Sequence, residues 1–158
     1  MNREIERKYI IGEIPNLDKY KHKTIIQGYL YIDNYSEVRI RKVIDDDIKY
    51  YYTVKINVNN LVRKEEEEEI DSKTYNELEN KILKDTNIIV KDRYIIPKDN
   101  LKIELDIYQG ILEGLKIMEV EFNNEIEAIN FKLDGFDIIE VTNDINYKNK
   151  TLAKKRVK

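Results

Sequence analysis

Charged residues recur at alternate positions along this chain, and this pattern constrains the fold more than any other feature. In VRIRKV, Arg39 and Arg41 lie two positions apart, and in MEVEF the same holds for Glu119 and Glu121. Because successive side chains of a β-strand point to opposite faces, each pair shares one face and apolar residues occupy the other. The same spacing relates five further sets, which are Glu4, Glu6 and Lys8; Thr53 and Lys55; Arg63, Glu65 and Glu67; Lys91 and Arg93; and Glu104 and Asp106.

Pairs of like charge on one strand face require a compensating partner. Two carboxylates about 4 Å apart repel by about 4 kcal/mol at an effective dielectric constant near 20. A water-exposed sheet face explains any single pair, but these pairs are almost all fully charged and are largely sorted by sign. We therefore predict that the charged faces line an enclosed space that binds a polyanion together with divalent cations. The apolar faces then point outward and are covered by helices.

Short strand-like segments follow one another along most of the chain. Few helices interrupt them, and helix starts are predicted at Asp71 or Ser72, at Asn124, and at Thr142 or Asn143. About eight strands with few helices favour a mainly β (α+β) fold in which the sheet closes into a barrel. The predicted strands lie near 3–11, 24–32, 36–44, 48–57, 62–70, 88–96, 101–108 and 116–123.

Composition excludes several kinds of site. The chain has 158 residues, which predicts one domain over 1–158, and it contains no cysteine and a single histidine, His22. Thiolate metal sites are thereby excluded, and imidazole metal sites are disfavoured. Carboxylate oxygens select hard cations such as Mg²⁺ or Mn²⁺. The net charge of −3 argues against a stable nucleic-acid complex. Without an apolar signal region or a long apolar stretch, a cytoplasmic protein with no membrane partner is expected.

Taken in order, these motifs resemble the CYTH superfamily, also called the triphosphate tunnel metalloenzymes. The N-terminal ExExK signature of that family is present as Glu4, Glu6 and Lys8. The resemblance runs almost from end to end and is greatest to the small bacterial inorganic tripolyphosphatases. The other matching motifs are QGYL at 27–30, the Arg39 and Arg41 pair, TVK ending at Lys55, RxExE from Arg63, KxR from Lys91, ELD at 104–106, EVEF at 119–122 and EVT…YKNK at 140–150.

The resemblance implies an eight-stranded antiparallel β-barrel tunnel that binds a triphosphate with two Mg²⁺ or Mn²⁺ ions. The residues it implies for phosphate binding are Lys8, Arg39, Arg41, Lys55, Lys91 and Arg93. The carboxylates it implies for the metals are Glu4, Glu6, Glu67, Asp106, Glu119 and Glu121. Glu6, Glu67 and Lys91 are the candidate catalytic residues, and the sequence does not choose between Glu6 and Glu67 as proton acceptor.

The predicted function is metal-dependent hydrolysis of inorganic tripolyphosphate, with nucleoside triphosphates as further candidate substrates. Two alternatives within the family are a class IV adenylate cyclase and a thiamine triphosphatase. A non-catalytic polyphosphate-binding module is a third alternative, although binding alone gains nothing from so many carboxylates. The partner is expected to be a small molecule containing a triphosphate, and the protein is expected to be a monomer or a homodimer.

Overall fold

The computed structural model describes residues 1–154, and most of these residues lie in antiparallel strands. Two 3₁₀-helices, Gly110–Leu112 and Ile145–Tyr147, accompany the α-helices. The strands are β1 (Asn2–Ile11), β2 (His22–Ile32), β3 (Ser36–Ile44), β4 (Ile48–Asn57), β5 (Val62–Ile70), β6 (Ile89–Lys98), β7 (Leu101–Tyr108), β8 (Lys116–Phe122) and β9 (Ile138–Glu140), and the α-helices are α1 (Ser72–Glu79), α2 (Glu125–Asn130) and α3 (Asn149–Leu152).

Eight of the strands close into a barrel, as predicted. They pair in the order β1-β8-β7-β6-β2-β3-β4-β5, and β5 returns to β1. Two strands pair with the same edge of β1, one after the other. β5 pairs with the first half of β1, where Glu4 lies opposite Arg63, and β9 pairs with the second half, where Tyr9 lies opposite Glu140. The short strand β9 was not predicted from the sequence.

The apolar faces of the strands point outward, also as predicted. On β8, Met118 and Val120 are fully buried beneath the outer layer, which includes Ala128 of α2 and residues of the 131–138 segment. On β2, Gly28 permits a close approach from outside, since a Cβ atom there would lie 2.5 Å from Cδ1 of Ile82. The helices and their flanking segments therefore cover the outward-facing apolar side chains of the strands, and the two layers together form an apolar core outside the barrel.

One end of the barrel is filled by apolar side chains, which the sequence pattern did not predict. Tyr29 and Tyr108 lie on the same strand faces as Gln27 and Asp106, and they pack with Ile89, Ile117 and Ala153 in one buried cluster. We call this cluster the apolar plug. The charged interior is consequently a cavity bounded by the plug at one end.

The C-terminal helix begins later than predicted. Thr142 does not cap a helix, because its Oγ1 accepts from the backbone N–H of Lys8 and donates to Glu140. Asp144 instead caps the second 3₁₀-helix, and α3 begins only at Asn149. Residues 155–158 of the C-terminal tail lie outside the described residues. Within 1–154, none of the helices has the length and apolar character required to cross a membrane.

Candidate active site inside the barrel

All eight barrel strands contribute charged or polar side chains to one cavity of about 250 Å³. Every site residue predicted from the sequence lines it except Asp106, which is fully buried behind the lining. The structure thus brings together two groups, the cations Lys8, Arg39, Arg41, Lys55, Lys91 and Arg93 and the carboxylates Glu4, Glu6, Glu67, Glu119 and Glu121.

Asp106 holds two of the predicted phosphate-binding cations. Its carboxylate accepts two hydrogen bonds from Arg93, at 2.7 and 2.8 Å, and lies 2.9 Å from Nζ of Lys91. Burial opposes ionisation of Asp106, but Arg93 and Lys91 outweigh it and keep its pKa below the usual value. Burial lowers the pKa of Lys91 to about 8 against the attraction of Asp106. Asp106 therefore fixes both cations in place. The pKa of Lys91 also lies close to neutral pH.

A second ion-pair network joins β1, β3, β4 and β5. Oε1 of Glu37 lies 2.7 Å from NH1 of Arg63, and Nζ of Lys55 lies 2.9 Å from Glu4 and 3.1 Å from Glu65. Despite burial, which acts the other way, these cations lower the pKa of both Glu4 and Glu37 to about 2. These four strands therefore present a charge-balanced wall to the cavity.

Neither Glu37 nor Arg63 was predicted as a site residue. Arg63 was noted only as part of a motif, and the signal for Glu37 was its position two residues before Arg39, on the same strand face.

Two arginines carry donors without protein partners. Among the described residues, the buried Nε atoms of Arg39 and Arg41 form no hydrogen bond. Within residues 1–154, the guanidinium of Arg41 has one long ion pair, in which NH1 lies 3.8 Å from Oε2 of Glu67. Burial, together with repulsion from Arg39 and Arg93, lowers the pKa of Arg41 to about 10. Buried cationic donors of this kind are strong ligands for an anion.

The adjoining wall, which shares β1 and includes β7 and β8, is crowded with carboxylates. Glu6 lies directly opposite Glu121 in the strand register, and Glu119 lies opposite Glu104. Burial and the nearby carboxylates of Glu119 and Glu4 raise the pKa of Glu6 to about 8. Burial also raises the pKa of Glu121, with Glu4 and Glu104 adding to the effect. Glu119 lies 3.6 Å from Nζ of Lys8, and Arg93 pairs with Glu104. Among the described residues, Glu6 and Glu121 are therefore the carboxylates of this wall without an ion-pair partner.

The carboxylate wall fits a divalent cation by its chemistry. Its donors are hard oxygen atoms, and a bound cation would relieve the repulsion that raises the pKa of Glu6. In the described part of the chain, however, no three Asp, Glu or His side chains converge closely enough to hold a metal ion. Metal binding therefore requires rearrangement of these side chains.

The chain is similar in sequence and in structure to proteins named inorganic triphosphatase. The chain is 35% identical over 154 residues to an inorganic triphosphatase of Acetivibrio thermocellus, covering 98% of this chain and 95% of that protein. It is 34% identical over 152 residues to an inorganic triphosphatase of Nitrosomonas europaea, with 95% and 96% covered. A solved structure of an inorganic triphosphatase superposes with a TM-score of 0.68 at 30% identity, covering 100% and 99% of the two chains. No family model matches the chain.

Proposed function

This chain belongs to the inorganic triphosphatase family of triphosphate tunnel enzymes, and we propose that it hydrolyses inorganic triphosphate inside its barrel with the help of divalent cations. The observation that carries this proposal is the enclosed cationic lining. Six Lys and Arg side chains from strands β1, β3, β4 and β6 face one cavity, together with an acidic wall. A triphosphate carries negative charge along its whole length, so it complements such a lining at each phosphoryl group.

The cations have different roles in binding. Arg39 and Arg41 offer planar guanidinium forks that suit phosphate oxygens, whereas Lys8 and Lys55 act as point charges. Lys91 and Arg93 are held rigid by Asp106, and we therefore propose that Asp106 positions these cations and is not itself a metal ligand. Catalysis of phosphoryl transfer consists mainly of such positioning and of charge neutralisation.

Mg²⁺ or Mn²⁺ would be held by carboxylates of the acidic wall, chiefly Glu6, Glu119 and Glu121, with Glu4 and Glu67 as further candidates. When bound, the cation supplies neutralisation of phosphate charge and raises the acidity of a water molecule.

The reaction adds water to a terminal phosphorus atom, breaks the bridging P–O bond and releases orthophosphate and pyrophosphate. The attacking water must lose a proton to a nearby base. Glu6 and Glu67 both line the cavity, and Thr53 fixes Glu67 through a hydrogen bond of 2.9 Å. A base must be ionised to accept a proton. Glu6 meets this condition once a bound cation has lowered its raised pKa, and Glu6 and Glu67 are both proposed as candidate proton acceptors.

The cavity lining favours an inorganic substrate over a nucleotide. Among the described lining residues, the apolar ones are Leu61, Ile95 and Val141, and none is aromatic. An adenine ring would therefore find no aromatic stacking partner among the described lining residues, which weighs against the adenylate cyclase alternative.

The decisive experiment compares tripolyphosphate, ATP and thiamine triphosphate as substrates, each with Mg²⁺, with Mn²⁺ or with EDTA. Phosphate and cyclic AMP are both measured. We expect phosphate mainly from tripolyphosphate and only when metal is present; cyclic AMP as the main product, or tight binding without turnover, would contradict the proposal. Glu121→Gln should abolish turnover, and Glu68→Gln, on the exposed outer face of β5, is the matched control. A cytoplasmic location and a monomeric or homodimeric state stay predictions.

A further inference from the structure

The C-terminal residues 141–153, which we call the cap, close the cavity beside the apolar plug. Thr142, Lys148 and Asn149 of the cap line the cavity. Nζ of Lys8 donates to the carbonyl of Tyr147 at 3.2 Å, and Nζ of the buried Lys150 donates to the carbonyl of Asp33 at 3.1 Å. The cap is thus fixed to the barrel at several points, and its lining residues have defined positions.

One hydrogen bond orients the side chain of Asn149. The hydroxyl of Tyr108 lies 2.6 Å from Oδ1 of Asn149. This distance is typical of O–H···O bonds and short for a bond involving an amide nitrogen, so the amide oxygen faces Tyr108. The amide NH₂ group of Asn149 then points away from Tyr108. No hydrogen bond within 1–154 uses that NH₂ group, and the residue lines the cavity.

Tyr108 is well placed to hold this orientation. It is 2% exposed within the apolar plug, and its ring lies 5.4 Å from Nζ of Lys91, its direct neighbour in the strand register. Burial raises its pKa above the usual value, so the phenol keeps the proton that it donates. Tyr108 therefore links a phosphate-binding cation of the barrel wall to the cap.

We propose that Asn149 binds a terminal phosphoryl group of the triphosphate through its amide N–H donors and that Tyr108 is its positioning residue. The proposal rests on the proposed function and names a substrate contact supplied by the cap. Because Asn149 lies at the plugged end of the cavity, the phosphoryl group that it meets is the one that enters deepest. A neutral donor there binds phosphate oxygens without adding repulsion to the nearby Lys8 and Lys148.

The test measures tripolyphosphate binding by calorimetry in EDTA, where no turnover is expected. Asn149→Ala should weaken binding about tenfold, the effect expected for one hydrogen bond to a charged group. Asn149→Asp keeps an acceptor for Tyr108 but replaces the donor with a carboxylate, so it should weaken binding more than the alanine variant. Asn146→Ala, an exposed cap residue, should bind like the wild type.

Tyr108→Phe separates positioning from simple support of the fold. It should weaken binding in the same direction as Asn149→Ala, and the double variant should be no weaker than Asn149→Ala alone, because Tyr108 acts through Asn149. Additive losses would overturn the positioning role. Melting temperatures measured on all variants identify any that fail to fold.

Two outcomes separate this inference from the proposed function. If the wild type binds tripolyphosphate but releases no phosphate with either metal, the proposed function fails and the contact stands. If the wild type hydrolyses tripolyphosphate while Asn149→Ala and Asn149→Asp bind it as tightly as the wild type does, only this inference fails. Absence of binding by the wild type, together with absence of phosphate release with either metal, would overturn both.

Discussion

Lys91 and Asp106 form an ion pair within the barrel wall, with Nζ 2.9 Å from Oδ2 and with side chains only 1% and 0% exposed. Their relationship is set by strand pairing, since β6 places Arg93 directly opposite Asp106 and Lys91 two residues away on the same face. Breaking a buried pair leaves an uncompensated charge, which is far more destabilising than the loss of a surface pair.

Asp106→Asn should lower the free energy of unfolding by about 3–5 kcal/mol. Urea denaturation measures this free energy and is carried out in EDTA. If Asp106 acted only as a metal ligand, its substitution would not change the stability of the metal-free protein. The control is Glu125→Gln, which breaks the exposed ion pair with Arg3 and should change stability by less than about 1 kcal/mol. Equal stability of the wild type and Asp106→Asn without metal would show that the buried pair does not support the fold.

Arg41→Ala should separate activity from stability. Its guanidinium is repelled by Arg39 and Arg93, and its buried Nε has no hydrogen-bond partner in the described part of the chain, so it contributes little to the folded state. Loss of a charged hydrogen bond to phosphate should lower kcat/KM for tripolyphosphate by about 10–100-fold. The free energy of unfolding should stay the same or rise. Steady-state kinetics and denaturation of one preparation check both parts, and a loss of stability that matches the loss of activity would argue against a binding role.

Much of the fold followed from the sequence because the charge alternation has the period of a strand. That pattern identified eight strands and the inward direction of almost every candidate site residue. β9 escaped prediction because its three residues are too few to show a period. The plug escaped because Tyr29 and Tyr108 interrupt the charged faces with aromatic side chains, and only the three-dimensional arrangement shows that they meet.

The sequence indicated which strand face each candidate residue shares, but not which of these residues line the cavity. In the sequence, Glu104 and Asp106 look like every other acidic pair, yet one lines the cavity and the other is sealed behind it. The difference depends on which residue lies across the strand register, since Arg93 faces Asp106. Register is set by long-range pairing, and a single sequence does not encode it locally.

Glu37→Gln tests the network that sequence reasoning missed. Arg63, Arg39 and Lys55 lower the pKa of Glu37 to about 2 against the effect of burial. A lowered pKa means that the carboxylate stabilises the fold above pH 4.5 and that this contribution, roughly 3 kcal/mol, disappears as the pH falls toward 2. The variant should therefore be less stable than the wild type at pH 6, and the difference should shrink in acid. A difference that is constant between pH 6 and pH 2 would contradict the assigned pKa.

Glu6 should give the opposite pH dependence, because its pKa is raised to about 8. Between about pH 4.5 and pH 8 the folded state holds a proton that the unfolded chain has released, so stability should fall as the pH rises through this window, by at most about 1.4 kcal/mol per pH unit. Glu6→Gln cannot ionise and should lack this component.

Denaturation in EDTA from pH 5 to pH 9 measures this component as the difference in stability between the wild type and Glu6→Gln, with Glu68→Gln as control. When Mg²⁺ replaces EDTA, the fall in stability with rising pH should be smaller, since a cation favours the ionised carboxylate. Parallel curves for the wild type and Glu6→Gln would show that the carboxylate wall is not crowded enough to retain the proton.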